Sequence, residues 1–387
     1  MGKENCSTFV EIIHPICCGI DIHKETIVAC LIGVNSQGKK TEEVREFATF
    51  TDSLIKFRDW LNQNNCLIVA MESTGIYWRP IHNILEGHVE VLLVNARHYK
   101  NVPGRKTDVS DCKWLAGLLQ VGLLKGSFIP LEEVRQWREL VQIRKSIINT
   151  KSDFKRRVHK LFETANIKID SVVSDLFGVT GMNLMNHLCQ SKEITLEDIE
   201  ESAKGCLRDK SEELYRSIQG FFKEHHRFIL QGLLRIIFNL EKEYSIISKR
   251  IKLVMVNQEP LIQQLDEVPG INETSAQSIL SIISNDLSCF RNENAIASWC
   301  GICPGNNESA GKHFSGRNPI RSHPLKEVLI EIAWAAVKKK GSYYKCKYYK
   351  LKARRGAKRA ITAIAHKILK AVYFIIKKGV NYRELGE

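Results

Sequence analysis

The first third of the chain alternates short β-branched runs with amphipathic stretches. Its hydrophobic pattern predicts three successive strands, ICCGIDI (16–22), TIVACLIGV (26–34) and VREFATF (44–50), with NSQGKK as the turn before the third. A helix over 51–65 follows, with Thr51 as its candidate N-cap. Strand, helix, strand and helix patterns then occupy 66–72, 75–87, 89–95 and 108–122. The predicted order, β-β-β-α-β-α-β-α, indicates an α/β sheet flanked by helices.

Acidic residues stand at informative places in this order, which matches the ribonuclease H-like core. Asp21 lies in the first strand, Glu72 ends the fourth, and Asp108 and Asp111 open the last helix. The first and fourth strands of such a sheet are neighbours, and residues three apart on a helix share one face, so the four carboxylates are expected to converge. Carboxylates in this number suit two Mg²⁺ ions about 3.5–4 Å apart, as in phosphodiester chemistry. The simpler interpretation pairs Asp21 with Lys24 and makes the helix aspartates capping residues.

Helical periodicity dominates the middle of the chain. Residues 131–165 form a long basic helix candidate, and 211–256 form a second. In the second, apolar residues recur at steps of three and four, the seam spacing of a coiled coil: Ile229, Leu233, Ile236, Leu240, Tyr244, Ile247, Ile251 and Val254. Such arms either join two subunits or fold back as an antiparallel hairpin, and the sequence leaves both open. The predicted domains are therefore 1–130, 131–258 and 259–387.

The last part of the chain carries two patterns suited to nucleic acid. LIQQLDEVPGINETSAQSILSII (261–283) predicts a helix-hairpin-helix-like segment whose turn at Gly270 contacts a DNA phosphate, although many unrelated proteins have such a turn. The chain then ends in two predicted helical segments. The first interleaves tyrosines with Lys345, Lys347, Arg354 and Arg355, which suits backbone neutralisation and ring contacts, or simply a solvated basic face.

Composition narrows the class of partner. Lys and Arg number 57 against 43 Asp and Glu, a net charge of +14 that favours a polyanion such as nucleic acid. Apolar runs are too short and interrupted for a membrane span, and no leader pattern is seen, so a cytoplasmic location without a membrane partner is expected. Twelve irregularly spaced cysteines indicate reduced thiols. Cys300 and Cys303 have the CxxC spacing of redox or zinc sites, but without a second Cys or His pair they are expected to be packing residues.

Several motifs taken together resemble the DEDD transposases of the insertion-sequence 110 family, closest to its 1111 subgroup. They are GIDIHKETIVACLI, MESTGIYWRPIHNILE, VLLVNARHYKNVPGRKTDVSDCKWLAGLLQVGLLKGSFIP, VPGINETSAQSILSII and ASWCGICPGNNESAGKHFSGR. The resemblance covers nearly the whole chain in the family's order. It implies a RuvC-like N-terminal domain that uses Mg²⁺ at an acidic tetrad, here Asp21, Glu72, Asp108 and Asp111. It also implies a mostly helical C-terminal transposase domain with a nucleophilic serine, here Ser309 in ESAGK.

The resemblance further implies partners and a cellular setting. The partners are double-stranded DNA of the element ends and target, and a noncoding bridge RNA from the element's flank. The subunits are implied to form dimers and tetramers in which the acidic site of one completes the serine site of another, at the nucleoid of a bacterial or archaeal cell. Lys106, Lys312 and Arg317 are expected to be basic neighbours of the nucleic acid, and Ser315 is a rival nucleophile. The loop NPIRSHPLKEVL departs from the family's usual Gly- and Lys-rich pattern, which leaves the DNA contacts there open.

The expected reaction is attack of Ser309 on a phosphodiester to give a covalent 5′-phosphoserine. A serine hydroxyl needs activation by a base or metal, and no His or Asp adjoins Ser309 in sequence. The alternatives are a junction-resolving nuclease that uses water on the same fold, an ATP-binding protein of the actin and sugar-kinase type, and a non-catalytic DNA-binding scaffold. The kinase-type alternative is disfavoured because bulky residues, His23, Lys24 and Glu25, follow Asp21 and no Gly-rich phosphate loop is present.

Overall fold

The chain forms two compact units, residues 1–129 and 130–387. The computed structural model describes residues 11–34, 39–73, 75–95, 111–190, 194–303, 307–309, 312–315 and 323–384. The first unit is a mixed α/β sheet structure and the second is mostly helical, as predicted. The predicted division of the second part at 258 stays a prediction. Of the helices within the described ranges, none is both long and apolar enough to cross a membrane.

The first unit is built on five strands in the order β3-β2-β1-β4-β5. Their bounds are β1 Cys17–Ile22, β2 Thr26–Val34, β3 Lys40–Ala48, β4 Ile68–Glu72 and β5 Glu90–Val94. β1, β2 and β3 are antiparallel neighbours, whereas β4 runs parallel to both β1 and β5. The first and fourth strands are therefore adjacent, as predicted. β3 begins before its predicted start at 44 because it pairs with β2 along the whole of that strand.

Helices cover both faces of this sheet. They are α1 Thr51–Gln63, α2 Trp78–Leu85 and α3 Asp111–Gln120. Alternate strand residues divide between two cores, so that Ile20 packs in the core that contains Phe57 of α1, and Cys17 in the core that contains Leu115 of α3. Thr51 is the first residue of α1 and not its N-cap; Phe50 takes the cap position without a side-chain hydrogen bond.

Gly19 lets α3 lie directly on β1. A Cβ atom at Gly19 would overlap the backbone oxygen of Cys112 and the backbone nitrogen of Ala116, neither of which can turn aside as a side chain would. The same helix is tied to the sheet by an ion pair between Lys113 and Glu42 of β3, with an N–O distance of 2.5 Å. Backbone contact and ion pair together fix the position of α3 along the sheet.

Two long antiparallel helices, α4 Glu132–Thr164 and α9 Glu224–Val254, organise the second unit. Trp137 of α4 shares a core with Ile251 near the end of α9, and Phe162 shares another with Leu230 near its start. Within one chain the two helices thus pack as an antiparallel hairpin, and joining of two subunits by these arms stays a prediction. Between the long helices lie α5 Ile169–Val172, α6 Val179–Gln190, α7 Leu196–Ser202 and α8 Ser211–Ser217.

The second long helix starts later than predicted, and its apolar face is shifted. Residues 211–223 cannot extend α9 because backbone hydrogen bonds hold them to the end of α4, from Lys168 N to Ser217 O and from Phe221 N to Ala165 O. Ile236 is 39% exposed whereas Ile237 is 5% exposed. At this end of α9 the buried positions next to Ile229 and Ile236 are Leu230 and Ile237, one residue further along, whereas Leu233 is buried as predicted.

The rest of the second unit comprises six helices and a hairpin within the described ranges. They are α10 Glu259–Asp266, α11 Glu273–Ile283, α12 Glu293–Trp299, β6 Asn307–Ser309, β7 Lys312–Ser315, α13 Pro324–Ala336, α14 Tyr343–Arg355 and α15 Ala357–Lys378. The terminal region forms three helices and not the two predicted segments, because Gly341 and Gly356 adopt positive φ angles of 69° and 78°. Arg144 of α4, 3% exposed, donates to Gln277 Oε1 at 2.6 Å and so holds the arm to α11.

We predict that Gly19→Ala destabilises the first unit, by about 1–3 kcal/mol in the free energy of unfolding, because the added methyl overlaps the backbone of α3. Gly117→Ala on α3 itself is the matched control, since its Cβ would meet no atom within 4 Å. Urea denaturation followed by circular dichroism measures both. Equal stability of the two variants would contradict the backbone contact.

Buried thiols give a second prediction. Burial raises the pKa of Cys17 and Cys30 to about 12 and that of Cys66 to about 11, whereas Cys206 and Cys289 are exposed. Iodoacetamide at pH 8 should modify the exposed pair and spare the buried three, which mass spectrometry of peptides from the labelled chain measures.

Since the unfolded chain releases the protons of these thiols near the ordinary pKa of 9.0 and the folded chain does not, the free energy of unfolding should fall as the pH rises above about 9. Rapid labelling of the buried thiols in the folded chain would refute this.

Candidate active site

Asp21 and Glu72 lie side by side at the same edge of the sheet. β1 and β4 are parallel neighbours in the register Gly19 to Ala70 and Ile20 to Met71, and Asp21 and Glu72 are the next residues of each strand. Side chains alternate across a strand, so Asp21 shares the face of Gly19, and Glu72 that of Ala70. This is the face that α3 covers. The predicted meeting of the first and fourth strands at these two carboxylates is present.

Asp111 comes to the same face through α3. It is the first residue of that helix and directly precedes Cys112, whose backbone lies against Gly19. The contact between Cys112 and Gly19 thus places the start of α3 against β1, at a point on the strand two residues before Asp21. Asp108, like Lys106, lies outside the described residues, so the fourth member of the predicted tetrad stays a prediction.

The donor set suits a hard divalent cation. Carboxylate oxygens are the ligands Mg²⁺ prefers, and it commonly uses one or two carboxylates with waters and phosphate oxygens. Asp21 is 27% exposed and Glu72 is partly buried. In the part of the chain that the structure describes, no group of three or more His, Cys, Asp or Glu is arranged to hold a metal. The described carboxylates Asp21, Glu72 and Asp111 are therefore not gathered into a metal site, and the tetrad stays a prediction. Asp21 and Glu72 suit Mg²⁺ by the chemistry of their oxygen donors.

His23 is a neighbour of Asp21 that the sequence analysis did not select. Its Nε2 lies 3.4 Å from Asp21 Oδ2, so His23, and not the Lys24 of the simpler interpretation, contacts Asp21. The turn that carries both residues is held by Thr49, whose hydroxyl donates to the carbonyl oxygen of Lys24 at 2.9 Å. The spacing of Asp21 and His23, two residues apart across a strand end, is the signal that could have indicated this contact.

Ser309 stands at the closed end of the β6–β7 hairpin. Its backbone pairs with Lys312, whereas Ser315 pairs with Asn307 at the open end. The two serines that compete for the role of nucleophile are thus separated by the length of the hairpin. Lys312, expected beside the phosphate, is directly across from Ser309 in backbone register. Arg317 lies outside the described residues.

The basic residues of α14 are exposed or partly exposed, whereas half of its tyrosines are buried. Arg354 and Arg355 are exposed, and Lys345 and Lys347 are partly exposed. Tyr344 and Tyr348, four residues apart on one face, are 3% and 5% exposed and belong to the core. They cannot make the ring contacts that the sequence suggested, whereas Tyr349, 55% exposed, can.

Gly270 has a packing role in the predicted phosphate-binding turn. It adopts a φ of +90°, and a Cβ there would overlap Ile332 O and lie 2.7 Å from Ala336 N of α13. Pro269 before it is buried. The start of α11 is capped by the Asn272 side chain, which accepts from Ser275 N at 2.9 Å. The turn is therefore shaped by contact with α13, and phosphate binding by Gly270 stays a prediction.

Cys300 and Cys303 behave as packing residues, as expected. Cys300 is buried in the core of the second unit, and burial raises its pKa to about 12. Cys303 lies at that core's margin with its Sγ 4.0 Å from His366 Nε2.

Comparisons with known proteins point to one family. Residues 18–167 match a model for the DEDD transposases of IS110, described as "Transposase", and residues 262–350 match one described as "Transposase IS116/IS110/IS902 family". No curated protein matches the chain. Among solved structures, a Fowlpox virus resolvase in complex with substrate Holliday junction DNA matches at 13% identity and a TM-score of 0.18. That match covers 24% of this chain and 65% of the resolvase chain, just under two thirds of its length.

We predict that Gly270→Ala destabilises the second unit by roughly 1–3 kcal/mol more than Gly301→Ala. Both glycines have positive φ, at 90° and 71°, so both substitutions carry backbone strain, but a Cβ at Gly301 would meet nothing within 4 Å. Urea denaturation of the two variants isolates the overlap with α13. An equal loss of stability in the two variants would show that the contact of Gly270 with α13 does not stabilise the second unit.

Proposed function

Because the chain belongs to the IS110 family of transposases, we propose that it cuts and exchanges DNA strands during the movement of an insertion sequence. The observation that carries this is the placement of Asp21 and Glu72 on adjacent strands of one sheet face, beneath a helix that starts at Asp111. We propose that the sheet is a ribonuclease H-like core of the RuvC type. Its strand order and the mixed directions of its strands support this.

The acidic residues would hold Mg²⁺ against a DNA phosphate. Asp21 and Glu72 supply the described ligands, with Asp111 and Asp108 as the proposed remainder of the tetrad. Bound there, Mg²⁺ supplies charge stabilisation at the phosphoryl oxygens. The carboxylates themselves hold position because their strands are hydrogen-bonded neighbours. His23 lies close enough to Asp21 to orient that carboxylate.

The proposed nucleophile is Ser309. Its Oγ attacks phosphorus, a new O–P bond forms, and the bond from phosphorus to the 3′-oxygen breaks. The serine gives up its proton, the departing 3′-oxygen takes one up, and the DNA 5′-phosphate stays on the protein as a phosphoserine. Reversal of these steps with a different 3′-hydroxyl joins exchanged strands without hydrolysis.

The hairpin supports Ser309 over Ser315. At the closed end of the hairpin the backbone of Ser309 is held by pairing with Lys312, and residues that act on ligands are commonly carried by such connections between strands. Lys312, across from Ser309, supplies a cation for the attacked phosphate. Ser315 lies at the opposite end of the pairing, where the chain leaves the hairpin.

We further propose the partners that the family resemblance implies. They are double-stranded DNA of the element ends and target, a bridge RNA that selects the sites, and further copies of this chain, with the carboxylates of one subunit serving the serine of another. Placement in the 1111 subgroup belongs to the same proposal. The net charge of +14 supports polyanionic partners. Exposed apolar residues on α9, among them Phe228 and Ile229, support association of the arms.

Trapping the covalent intermediate tests this proposal. The full chain is incubated with duplex DNA carrying the element junction, RNA transcribed from the element's flank, and Mg²⁺, and adducts that survive denaturation are resolved by gel. We expect Ser309→Ala to abolish the adduct and Asp21→Asn to reduce its rate at least about 100-fold, since it removes part of the charge stabilisation. Ser315→Ala is the matched control and should form the adduct normally.

Three results would count against parts of the proposal. Adduct on Ser309→Ala but not Ser315→Ala would reassign the nucleophile. Cleavage that needs Asp21 and yields no adduct would indicate a metal-dependent nuclease that uses water, the junction-resolving alternative. Equal yields with and without the flank RNA would remove the guide from the reaction.

A further inference from the structure

A cavity of about 270 Å³ in the C-terminal helices takes no part in the proposed reaction. It lies between the first turn of α14, the second half of α15 and the segment that follows α15. Its lining includes Tyr343, Phe374, Tyr382, Lys367, Lys370 and Arg383. The cavity is slightly below the roughly 300–1,000 Å³ of typical small-molecule pockets, so it suits a compact ligand.

The segment that closes the cavity is held by specific hydrogen bonds. Gly379, with a φ of 63°, ends α15 in the left-handed conformation and turns the chain back. Glu384 then accepts from the backbone N–H of Tyr343 at 2.9 Å and from the phenol of Tyr382 at 3.3 Å. On the other side of the segment, Gln264 donates to Asn381 at 3.2 Å. The segment that forms this cavity wall is thus held in place by hydrogen bonds on both of its sides.

Flat rings and apolar carbon form the walls. Phe374 is 37% exposed, although it is a large apolar residue, and it forms part of the lining. Tyr343 and Tyr382 contribute two more rings, and Tyr382 stacks on buried Tyr344 with centroids 6.3 Å apart. Burial, with the nearby Glu384 carboxylate, raises the pKa of Tyr382 to about 12, so its ring stays neutral. Neutral, rigid rings are the surfaces on which nucleobases stack.

Cations surround these rings. Lys367 places its ammonium 5.5 Å from the ring centre of Tyr343, and Lys378 is 5.1 Å from that of Phe374. Arg383 is exposed on the closing segment. Lys370 is partly offset by Glu293, at 3.5 Å, and Glu384 is engaged with the two tyrosines. Cations therefore outnumber acids at the cavity, which complements a ligand that joins an aromatic group to an anion.

We propose that this cavity binds one unpaired nucleotide of a single-stranded nucleic acid, with the base on the rings of Phe374 and Tyr343 and its phosphate at Lys367 and Arg383. A base inside a duplex cannot enter, since both its faces are stacked and its edge is paired. The proposal rests on the proposed function only in that nucleic acid is the substrate. DNA and RNA share the chemistry of base and phosphate, so the source is settled by experiment.

Photocrosslinking tests the proposal directly. Short oligonucleotides with one 5-iodouracil are irradiated with the full chain in three forms: single-stranded RNA, single-stranded DNA, and duplex DNA in which the modified base is paired. Crosslinked peptides are then mapped by mass spectrometry. We expect a crosslink to Tyr343, Phe374 or Tyr382 from a single-stranded form and at least about tenfold less from the duplex.

Phe374→Leu is the decisive variant, since it keeps an apolar side chain and removes the ring. We expect about tenfold weaker binding of the single strand, the loss of one stacked base. Phe238→Leu is the matched control because Phe238 is also exposed on a helix with a lysine four residues on, Lys242, 4.4 Å from its ring centre. Lys367→Gln should weaken binding and lower the salt dependence by about one ion.

Each outcome decides the question. Crosslinks at the cavity that are reduced by Phe374→Leu and unchanged by Phe238→Leu would support the proposed nucleotide site. The single-stranded oligonucleotide that gives these crosslinks identifies the ligand as RNA or DNA. Crosslinks only elsewhere, equal crosslinking of duplex and single strand, or equal effects of the two leucine variants would overturn it. Because crosslinking needs no cleavage, the Ser309→Ala chain should crosslink like the unaltered one. Failure of the proposed reaction and failure of this site are therefore distinguishable.

Discussion

The direct contact between the backbones of α3 and β1 at Gly19 is the constraint on which the proposed acidic site depends. Two of its carboxylates, on Asp21 and Glu72, are set by strand register, which hydrogen bonds fix. The third, Asp111, is the first residue of α3. The distance of that helix from the sheet depends on the size of the side chains between the helix and β1. At Gly19 nothing lies between them, so the start of α3 is as close to β1 as backbones allow. A shift of about 1 Å can cost a catalytic site much of its rate.

A second close contact of a glycine, at Gly270 in the other unit, shows why a short sequence motif does not identify a binding site by itself. A Pro-Gly turn between helices has one sequence pattern whether its glycine approaches a phosphate or a helix, because both uses need a missing side chain. At Gly270 the neighbour is the backbone of α13. The sequence indicates that another group approaches the glycine closely, and only the fold identifies that group as a helix backbone. At Gly19 the sequence carries no such turn motif, and only the fold shows that the backbone of α3 lies against it.

Local pattern predicted the sheet well because β1, β2 and β4 are short, almost continuous apolar runs that are buried on both faces, and because adjacent strands have few possible orders. It failed where long-range contacts decide. The start of α9 depends on two backbone hydrogen bonds just after the end of α4, from Lys168 N to Ser217 O and from Phe221 N to Ala165 O, and no local signal marks them. The hairpin that carries Ser309 has strands of three and four residues, NES and KHFS, too short and too polar for alternation to appear. The contact of His23 with Asp21 lies beside a turn that Thr49, the residue after β3, holds through its hydroxyl.

The division of labour on α14 bears on how a recombinase of this kind can choose its sites. Tyr344 and Tyr348 bind the helix to its own core, and the exposed Arg354 and Arg355 face outwards at its end. Flexible cations of this kind hold phosphates and carry no sequence information. If base pairing with an RNA selects the target, as proposed, nothing more is required of such a surface. An enzyme that relies on pairing needs strong, unspecific attraction and places to hold unpaired bases, and a net charge of +14 with an aromatic cavity beside lysines meets both needs.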